Sequence, residues 1–360
     1  MRRLSIARRT GVVVLAGIAT SLIPTAPAGA ATPAYLSSPI ALSAGVALNH
    51  KAANLPIADI DQAFDAVATA KGKLVRIEIN WASVEATRGI DDWTKVDRLV
   101  DAAHRHGLTA IGLVSFTPAW ARPAGTGQAT PPTDPATYAS FLARAALRYG
   151  GQGLKVWEIW NEPNIAQFWR PAPNPVAYAA LLRAAYNSLK QVQPGAVVLH
   201  GGMSPQIGTA DGTMVAQTTF LARVYAAGGG PYFDAVAMHP YCYCPEPMDP
   251  ATSKWNAFYN LPRLYQVMVD NGNAWKAVWI TEIGQPTTGH MSLTEAQQAH
   301  VVEVVYRQMK QWTWLRAVLW YTAKESEWRS DGTRDWGLLR SDWSVKPALT
   351  SYRTVLAEYR

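Results

Sequence analysis

The stretch V-W-E-I-W-N-E-P-N at residues 156–164 decides the fold of this chain. Its first six residues set large apolar side chains around Glu158 and predict a buried strand. Pro163 cannot donate a backbone hydrogen bond, so the strand has to end beside it. Glu162 is thereby left at the mouth of a strand, next to the amide of Asn161 and walled by tryptophans. Apolar walls keep a carboxyl group protonated, and a general acid requires that state.

This motif resembles the acid/base signature of the retaining glycoside hydrolases of clan A, which are built on (β/α)8 barrels. Family 5 (cellulase-like) and family 39 (β-xylosidase-like) belong to that clan. The resemblance implies that Glu162 is the acid/base and that Asn161 holds the 2-hydroxyl of the sugar. It also implies a second glutamate, the nucleophile, at the end of the seventh strand.

The rest of the chain repeats a short β-rich run followed by an amphipathic helix. The strands are expected near residues 45–50, 74–80, 108–115, 155–161, 196–201, 233–239, 277–282 and 316–321. Strict alternation of strand and helix predicts a parallel sheet, and eight units predict its closure into an α/β (β/α)8 TIM barrel. The chain has 360 residues, which suits one barrel of about 250 residues with extended loops. We therefore expect a single catalytic domain over 45–360, after an N-terminal extension over 31–44.

Residues 1–30 have the pattern of a cleavable signal peptide. A basic segment with four arginines precedes an apolar run over 11–23, and Ala28-Gly29-Ala30 forms a small-residue cleavage site. These arginines account for four of the seven net positive charges of the chain, so the charge indicates no nucleic-acid surface. No later apolar run is long enough to span a bilayer. The sequence predicts a secreted protein.

The chain has two cysteines, Cys242 and Cys244, separated by one residue. In an exported protein they could form a disulfide across a tight turn, which Pro245 and Pro247 would permit. The alternative is two free thiols in a loop. No histidine pair stands at ligand spacing, so neither a metal site nor a cofactor is expected.

The second candidate glutamate lies in W-I-T-E-I-G at residues 279–284. Glu282 ends the seventh expected strand and matches the position of the nucleophile in the clan. It stands three barrel units after Glu162, so the two strand ends face each other across the ring. A retaining glycosidase needs two carboxyl groups about 5–5.5 Å apart.

Alternation along the strands predicts which side chains face the interior. The strand at 74–80 turns its polar side chains inward: Arg76, Glu78 and Asn80. The strand at 277–282 turns inward Val278, Ile280 and Glu282. Polar groups at the carboxyl ends of barrel strands are typical of an active site.

Three further residues are candidates for support of the two glutamates. Arg76 is always charged and could keep Glu282 ionised, although a structural pair with Glu78 or Glu158 is the alternative. His239-Pro240-Tyr241 resembles the His-x-Tyr pattern of family 5. That resemblance implies that His239 contacts the substrate or the acid/base and that Tyr241 orients the nucleophile.

Fifteen tryptophans exceed the needs of a core, and indoles pack against sugar rings. By resemblance to the clan, Trp320 at the end of the eighth strand is the floor of the sugar site. Trp120 and Trp169 are candidate substrate contacts in the loops, together with Trp81 and Trp328. Asn49 and His50, after the first strand, are weaker candidates. The segment T-P-A-W at 117–120 is more similar to family 39, since family 5 usually has a histidine near this position.

We conclude from the sequence that the protein is a secreted retaining O-glycosyl hydrolase that acts on an oligo- or polysaccharide. Its two glutamates would work by double displacement without a cofactor. Two alternatives remain open at this point. A glycan-binding barrel would bind the same ligands without hydrolysis, and a transglycosylase would use the same site with a sugar acceptor.

Overall fold

Strand and helix alternate along the chain, as the sequence predicts. The computed structural model describes residues 43–49, 52–325 and 335–359. Eight strands in this part of the chain pair in sequence order, all in parallel, and the last strand closes on the first. The strands are β1 (Ser43–Ala47), β2 (Leu74–Asn80), β3 (Thr109–Ser115), β4 (Val156–Ile159), β5 (Val197–Met203), β6 (Ala235–Met238), β7 (Ala277–Ile283) and β8 (Leu315–Tyr321). The predicted (β/α)8 barrel is confirmed.

Helices follow the strands and pack around the barrel. They are α1 (Ile57–Thr69), the short α2 (Trp81–Val84), α3 (Thr94–Arg105), α4 (Pro135–Tyr149), α5 (Pro175–Val192), α6 (Gln217–Ala226), α7 (Leu261–Asp270), α8 (Glu295–Gln308) and α9 (Pro347–Ala357). Their apolar faces and the outward faces of the strands form one continuous hydrophobic cluster. None of the helices in the described ranges has both the length and the apolarity that crossing a membrane requires.

The expected boundaries agree with the observed ones to within a few residues. The first strand begins at Ser43, two residues before the expected start of the barrel domain. The proposed signal peptide, the extension up to residue 42, His50 and Trp328 lie outside the described residues.

Local capping interactions explain where helices begin. The side chain of Asn174 accepts hydrogen bonds from the backbone amides of Val176 and Ala177, and Pro175 occupies the first turn of α5. Helix α8 begins at a segment where the sequence offers two overlapping capping-box patterns, the first at Ser292 and Glu295. Thr294 and the residue three positions later, Gln297, form the box instead. The two patterns overlap in the sequence, and the later one caps the helix.

The register of the strands fixes which side chains enter the barrel. Glu78 of β2 is paired with Leu113 of β3, and Leu113 is paired with Glu158 of β4. Paired residues of parallel strands share a face, so these three side chains point to the same side of the sheet. Arg76, on the same face of β2, donates to Glu282 of β7 across the barrel, which shows that this side is the interior. The polar face of β2 therefore faces inward, as predicted.

Strand β7 departs from the predicted alternation. Val278 pairs with Val236, which pairs with His200, and the ring of His200 packs against Phe220 of the helix layer. Val278 therefore faces outward, and so does Ile280 two residues later, against the sequence prediction.

A register irregularity explains how Glu282 still reaches the interior. The pairing of β7 with β8 shifts between Ile280 and Ile283. The hydroxyl of Thr281 lies 3.3 Å from a carboxylate oxygen of Glu158 inside the barrel, and the adjacent Glu282 also points inward. An irregular strand end breaks the period of two, and alternation alone cannot reveal this.

His200 is a buried histidine of β5 whose ring faces the helix layer. Its Nδ1 lies 2.9 Å from the carbonyl oxygen of Gly201 and donates to it, while Nε2 has no partner within the described residues. Its ring packs against Tyr178, Phe220 and Phe233. Burial lowers the pKa of His200 to about 4, so the ring is neutral in the folded protein.

We expect His200 to make the protein less stable as the pH falls from about 6.5 to about 4. In this window the unfolded chain binds a proton that the folded chain excludes. The neutral His200 therefore contributes its full stabilisation above the pKa of the unfolded chain, and this stabilisation is lost as the pH falls to the pKa of the folded protein. Over the full window the effect is about 3 kcal/mol. The His200→Leu variant should show a shallower dependence of the free energy of unfolding on pH in urea titrations.

The exposed histidine His104 offers a matched control. The His104→Gln variant should keep the wild-type pH dependence. An unchanged slope in His200→Leu would contradict the assignment of this window to His200.

Candidate active site

The end of β4 positions the central carboxylate of the site. After the strand, Trp160 and Glu162 adopt left-handed backbone conformations, with φ of 70° and 42°. The backbone amide of Glu162 donates to the carbonyl oxygen of Gly202 at 2.9 Å, which ties the turn to β5. Such conformations are costly for residues other than glycine and persist where the surroundings enforce them. The turn thereby directs the Glu162 side chain into the mouth of the barrel.

Arg76 connects the other polar groups at the centre of the barrel. Its Nε and Nη2 donate to the two oxygens of Glu158 at 2.7 and 3.1 Å. Its Nη1 donates to Oε1 of Glu282 at 2.5 Å, and Nη2 also donates to Oδ1 of Asn161 at 2.8 Å. The sequence left open whether Arg76 pairs with Glu158 or with Glu282, and the structure has both pairs. One guanidinium therefore fixes the positions of three side chains from β4 and β7.

Glu158 is fully buried, and its second oxygen also accepts from the backbone amide of Gly202 at 2.8 Å. A side chain at Gly202 would collide with this carboxylate and with the ring of His239. Glycine is therefore required at position 202, because Glu158 and His239 lie too close to its backbone for any side chain.

His239 brings the two candidate catalytic glutamates together. Its Nδ1 lies 3.0 Å from Oε1 of Glu162 and 3.7 Å from Oε2 of Glu282. Two atoms near one nitrogen cannot be farther apart than the sum of these distances, about 6.7 Å. The two carboxylates face one space. On its other side, Nε2 of His239 lies 3.2 Å from the hydroxyl of Thr281.

Electrostatics favour the ionised form of Glu282. Burial alone would raise its pKa, but the charges of His239 and Arg76 and the hydrogen bonds from Tyr241 and Arg76 outweigh burial and lower the pKa. For His239, burial alone would lower the pKa, but Glu282 and Glu162 outweigh it and raise the pKa. The same balance raises the pKa of Arg76 through Glu158 and Glu282. A carboxylate that is partly buried and still ionised is a suitable nucleophile.

Tyr241 completes the contacts of Glu282 and is held by aromatic neighbours. Its hydroxyl donates to Oε2 of Glu282 at 2.8 Å. Its ring stacks on Tyr243 and meets the edge of Trp336. Cys242 and Cys244, on either side of Tyr243, form a disulfide, which decides between the two alternatives left by the sequence. The bridge cross-links the loop that presents Tyr241.

A cavity of about 590 Å³ opens beside the two glutamates. It reaches from Glu162 and Glu282 over the ends of β8, β1, β2 and β3 toward α3, and no residue of β5 or β6 lines it within the described part of the chain. Its walls include Asn49 and Asn161 of the predicted site residues. Among the residues whose positions are described, no group of three or more His, Cys, Asp or Glu side chains could hold a metal ion.

The predicted tryptophans do not line this cavity. Trp320 is fully buried, faces the helix layer and donates its indole N–H to the carbonyl oxygen of Trp336. Trp169 is buried between Trp160 and Tyr178. Trp120 packs on Trp81 and donates to the carbonyl oxygen of Glu85. Sequence position after a strand does not fix which way an indole points, and these indoles fill the core.

The aromatic lining comes from residues that sequence reasoning missed. Tyr321, next to Trp320, lines the cavity. It pairs with Ala47 of β1, and Ala47 pairs with Arg76, so Tyr321 shares the inward face of Arg76. Phe116 and Phe168 line the side next to Glu162, with ring centroids 6.3 Å apart. The parity of β8 could have identified Tyr321. No local pattern marks Phe116, whose left-handed backbone (φ 65°) turns it at the end of β3.

Comparisons with known proteins agree with this architecture. No family model matches the chain. A stretch of 115 residues, 29% of this chain, is 30% identical to the β-xylosidase of Geobacillus stearothermophilus. A family 39 glycoside hydrolase from the gut symbiont Bacteroides cellulosilyticus WH2 superposes with a TM-score of 0.70 at 25% identity over 88% of this chain. A family 5 subfamily 18 glycoside hydrolase from Streptomyces cattleya, solved in complex with GlcNAc, superposes with a TM-score of 0.68 at 18% identity, covering 90% of this chain and 81% of that chain.

The predicted resemblance is confirmed. The chain shares its eight-stranded parallel barrel with glycoside hydrolases of families 39 and 5. The matched stretch spans 23% of the length of the β-xylosidase. The superposed chain spans 64% of the family 39 structure.

We expect Arg76→Met to destabilise the fold by about 3–5 kcal/mol, because it leaves the buried Glu158 without a counter-charge. The double variant Arg76→Met/Glu158→Leu should lose less stability than Arg76→Met, since neither position then has a buried charge without a partner. Urea denaturation of the three proteins measures both values.

A surface pair provides the control. Arg148 pairs with Asp97 on the outside of the barrel, and Arg148→Met should cost at most about 1 kcal/mol. A double variant less stable than Arg76→Met would contradict the central role of charge compensation.

Proposed function

We propose that the protein hydrolyses O-glycosidic bonds of an oligo- or polysaccharide with retention of configuration. Glu162 acts as acid/base and Glu282 as nucleophile. The single observation that carries the proposal is that both carboxylates lie within 4 Å of one nitrogen of His239, at 3.0 and 3.7 Å. The resemblance to glycoside hydrolases of families 39 and 5 supports the reaction class.

The spacing of the carboxylates favours the retaining reaction. Inverting enzymes hold their carboxyl groups about 6.5–9.5 Å apart to admit a water molecule, and retaining enzymes hold them about 5–5.5 Å apart. The nearest oxygens of Glu162 and Glu282 are at most about 6.7 Å apart. This upper limit only just reaches the shortest separation found in inverting enzymes. This geometry suits attack on the anomeric carbon by one carboxylate while the other reaches the leaving oxygen.

In the first step, an oxygen of Glu282 attacks the anomeric carbon, and the bond from this carbon to the leaving oxygen breaks. The proton of Glu162 passes to that oxygen, so the aglycone leaves as a neutral alcohol. In the second step, Glu162 takes a proton from water, and the water oxygen displaces Glu282 from the sugar. The products are the free sugar and the enzyme in its original protonation state.

The surrounding contacts support these roles. Arg76 and Tyr241 each contact one oxygen of Glu282 and keep it ionised until it attacks. As the bond to the sugar forms, the negative charge of Glu282 is neutralised, so these contacts also stabilise it as a leaving group in the second step. Oδ1 of Asn161 accepts from Arg76, which turns the amide nitrogen toward the ligand as a donor to the 2-hydroxyl.

We expect Glu162→Gln to lower kcat about 10²–10⁴-fold on aryl glycosides with poor leaving groups, because protonation of the leaving oxygen is lost. Glycosides with strongly acidic phenols as leaving groups need less protonation, so their kcat/KM should fall less, whereas their kcat should still fall because Glu162 is also the base of the second step. Glu282→Ala should lose turnover on both kinds of substrate, and sodium azide should restore it with formation of a glycosyl azide of inverted configuration. Initial rates and product analysis by NMR measure these effects.

Wild-type turnover in either variant would rule out the assigned mechanism. A barrel that binds glycans without hydrolysing any substrate of a panel of pyranosides and furanosides would overturn the proposed activity itself. The variant Arg148→Met, outside the barrel, is the control for unspecific loss of activity.

We also propose that the protein is exported. The basic and apolar segments of residues 1–30 support this, and the disulfide between Cys242 and Cys244 is compatible with an oxidising compartment. Mass spectrometry of the protein in culture medium should find a mature N-terminus directly after Ala30. Recovery only inside cells with residues 1–30 intact would contradict export.

A further inference from the structure

Trp336, in the loop after β8, lies among three tyrosine rings beside the proposed nucleophile. The rings of Tyr241, Tyr243 and Tyr321 contact its indole at centroid distances of 5.3, 5.9 and 5.8 Å, with interplanar angles of 69° to 80°. Edge-to-face contacts of this kind are favourable and depend on ring orientation. Because the hydroxyl of Tyr241 donates to Oε2 of Glu282, the indole is one ring away from the carboxylate.

The ends of β7 and β8 hold Trp336 in place. Its carbonyl oxygen accepts from the indole N–H of Trp320 at 3.0 Å. Gly284 directly follows β7, two residues after Glu282, and a side chain there would collide with the carbonyl oxygen of Tyr321 and press on the indole of Trp336. The absence of a side chain at Gly284 therefore lets the indole pack against the backbone that follows Glu282.

The disulfide fixes the conformation of Tyr243. Its two cysteines are buried on either side of Tyr243, with Cα atoms 5.2 Å apart, and Tyr243 has a left-handed backbone with φ of 51°. The side chain of Asn256 anchors the turn by donating to the carbonyl oxygen of Pro247 at 2.9 Å and to Sγ of Cys244 at 3.6 Å. A bridge across one residue closes a very short loop and restricts the unfolded chain little, so its main effect is local.

We propose that Tyr243 and Trp336 are positioning residues for the proposed nucleophile, and that the disulfide between Cys242 and Cys244 is required for this role. The inference rests on the proposed function, which assigns the nucleophile to Glu282. Tyr243 stacks on the ring of Tyr241, and Trp336 contacts both rings, so together they keep the hydroxyl of Tyr241 on Glu282. Once the disulfide is broken, the backbone at Tyr243 is free to leave its left-handed conformation, and the stacked arrangement is lost. The protein is fully active only in its oxidised form.

The pKa of Glu282 reports on the position of Tyr241. Burial raises this pKa, and the charges of His239 and Arg76 together with the hydrogen bond from Tyr241 outweigh burial and lower it. When the hydroxyl leaves, the pKa rises, so Glu282 becomes protonated at a higher pH and the acid limb of kcat/KM moves to higher pH. His239 and Arg76, and Glu162 across the same space, are unchanged in the variants below. So are the other charged groups that line the cavity, Glu78, Asp92 and Lys95.

A double-mutant cycle tests whether Trp336 and Tyr243 act through Tyr241. On an aryl glycoside, Tyr241→Phe should lower kcat/KM about 10- to 100-fold, because a hydrogen bond to a charged group is lost. Tyr243→Leu and Trp336→Leu should each lower it at least about threefold. Tyr243→Phe, which keeps the stacked ring, should stay closer to the wild type. In the Tyr241→Phe background the leucine substitutions should cost almost nothing further, and additive losses would overturn the inference.

Reduction tests the requirement for the disulfide. Dithiothreitol converts the bridge to two thiols and is itself oxidised to a cyclic disulfide, and these are the two cysteines of the chain. The reduced wild type and the variant Cys242→Ala/Cys244→Ala should lose kcat/KM by the same factor as Tyr243→Leu, and dithiothreitol should not change the variant further. Full activity of a wild type whose two thiols have been titrated would overturn the requirement.

A measurement without substrate separates this inference from the proposed activity. In protein labelled with ¹³C at the glutamate carboxyl carbons, NMR titration gives the pKa of Glu282, whose resonance is identified by its loss in Glu282→Gln. This pKa should rise in Tyr243→Leu, in Trp336→Leu and in the reduced wild type. An unchanged pKa would overturn the inference, whereas a raised pKa in a protein that hydrolyses no glycoside would overturn the proposed activity alone.

Tyr265 on α7 provides a matched control. Its half-buried ring stacks on Trp314, with centroids 4.8 Å apart and an interplanar angle of 10°. The carbonyl oxygen of Trp314 accepts from the backbone amide of Val278 near the start of β7, so this stack is at the opposite end of the strand from Glu282. Tyr265→Leu should therefore leave both the pKa of Glu282 and kcat/KM unchanged. A shift as large as that in Tyr243→Leu would contradict a specific role for the rings around Trp336.

Discussion

The guanidinium of Arg76 is the interaction on which the rest of the site depends. It donates to Glu158, Asn161 and Glu282, and so it joins strands β2, β4 and β7 at the centre of the barrel. Only arginine offers five donors in a planar fork of this kind. The position of the proposed nucleophile and the orientation of the neighbouring amide follow from one side chain.

This arrangement also sets the charge state of the site. Four glutamates, at positions 78, 158, 162 and 282, face the interior. Arg76 contacts Glu158 and Glu282, and His239 contacts Glu162. Glu158 is buried and paired with Arg76, so it serves to hold the guanidinium rather than to react. Glu282 is left more exposed, at 16%, and can meet a ligand. Burial, not residue type, distinguishes the structural carboxylate from the proposed nucleophile.

Much of the fold could be predicted from the sequence, because it follows from local patterns. Alternating strand and helix signals give the parallel barrel, and Asn174 with Pro175 marks the start of a helix. The motif around Glu162 and the strand end at Glu282 locate two carboxylates at the same end of the barrel. These features depend on residues that are close together in the chain, so the sequence alone can predict them.

Other features depend on contacts between distant residues, and only the tertiary structure decided them. The inward position of Glu282 results from a register shift between β7 and β8, and the burial of Trp320 results from the helix layer around it. The cavity over β1 and β2, and with it the position of Glu78, exists only when the strands are closed into a ring. The sequence by itself determined which side chains stand at the strand ends. Their distances and directions come from the closure of the barrel, since packing between strands far apart in the chain fixes them.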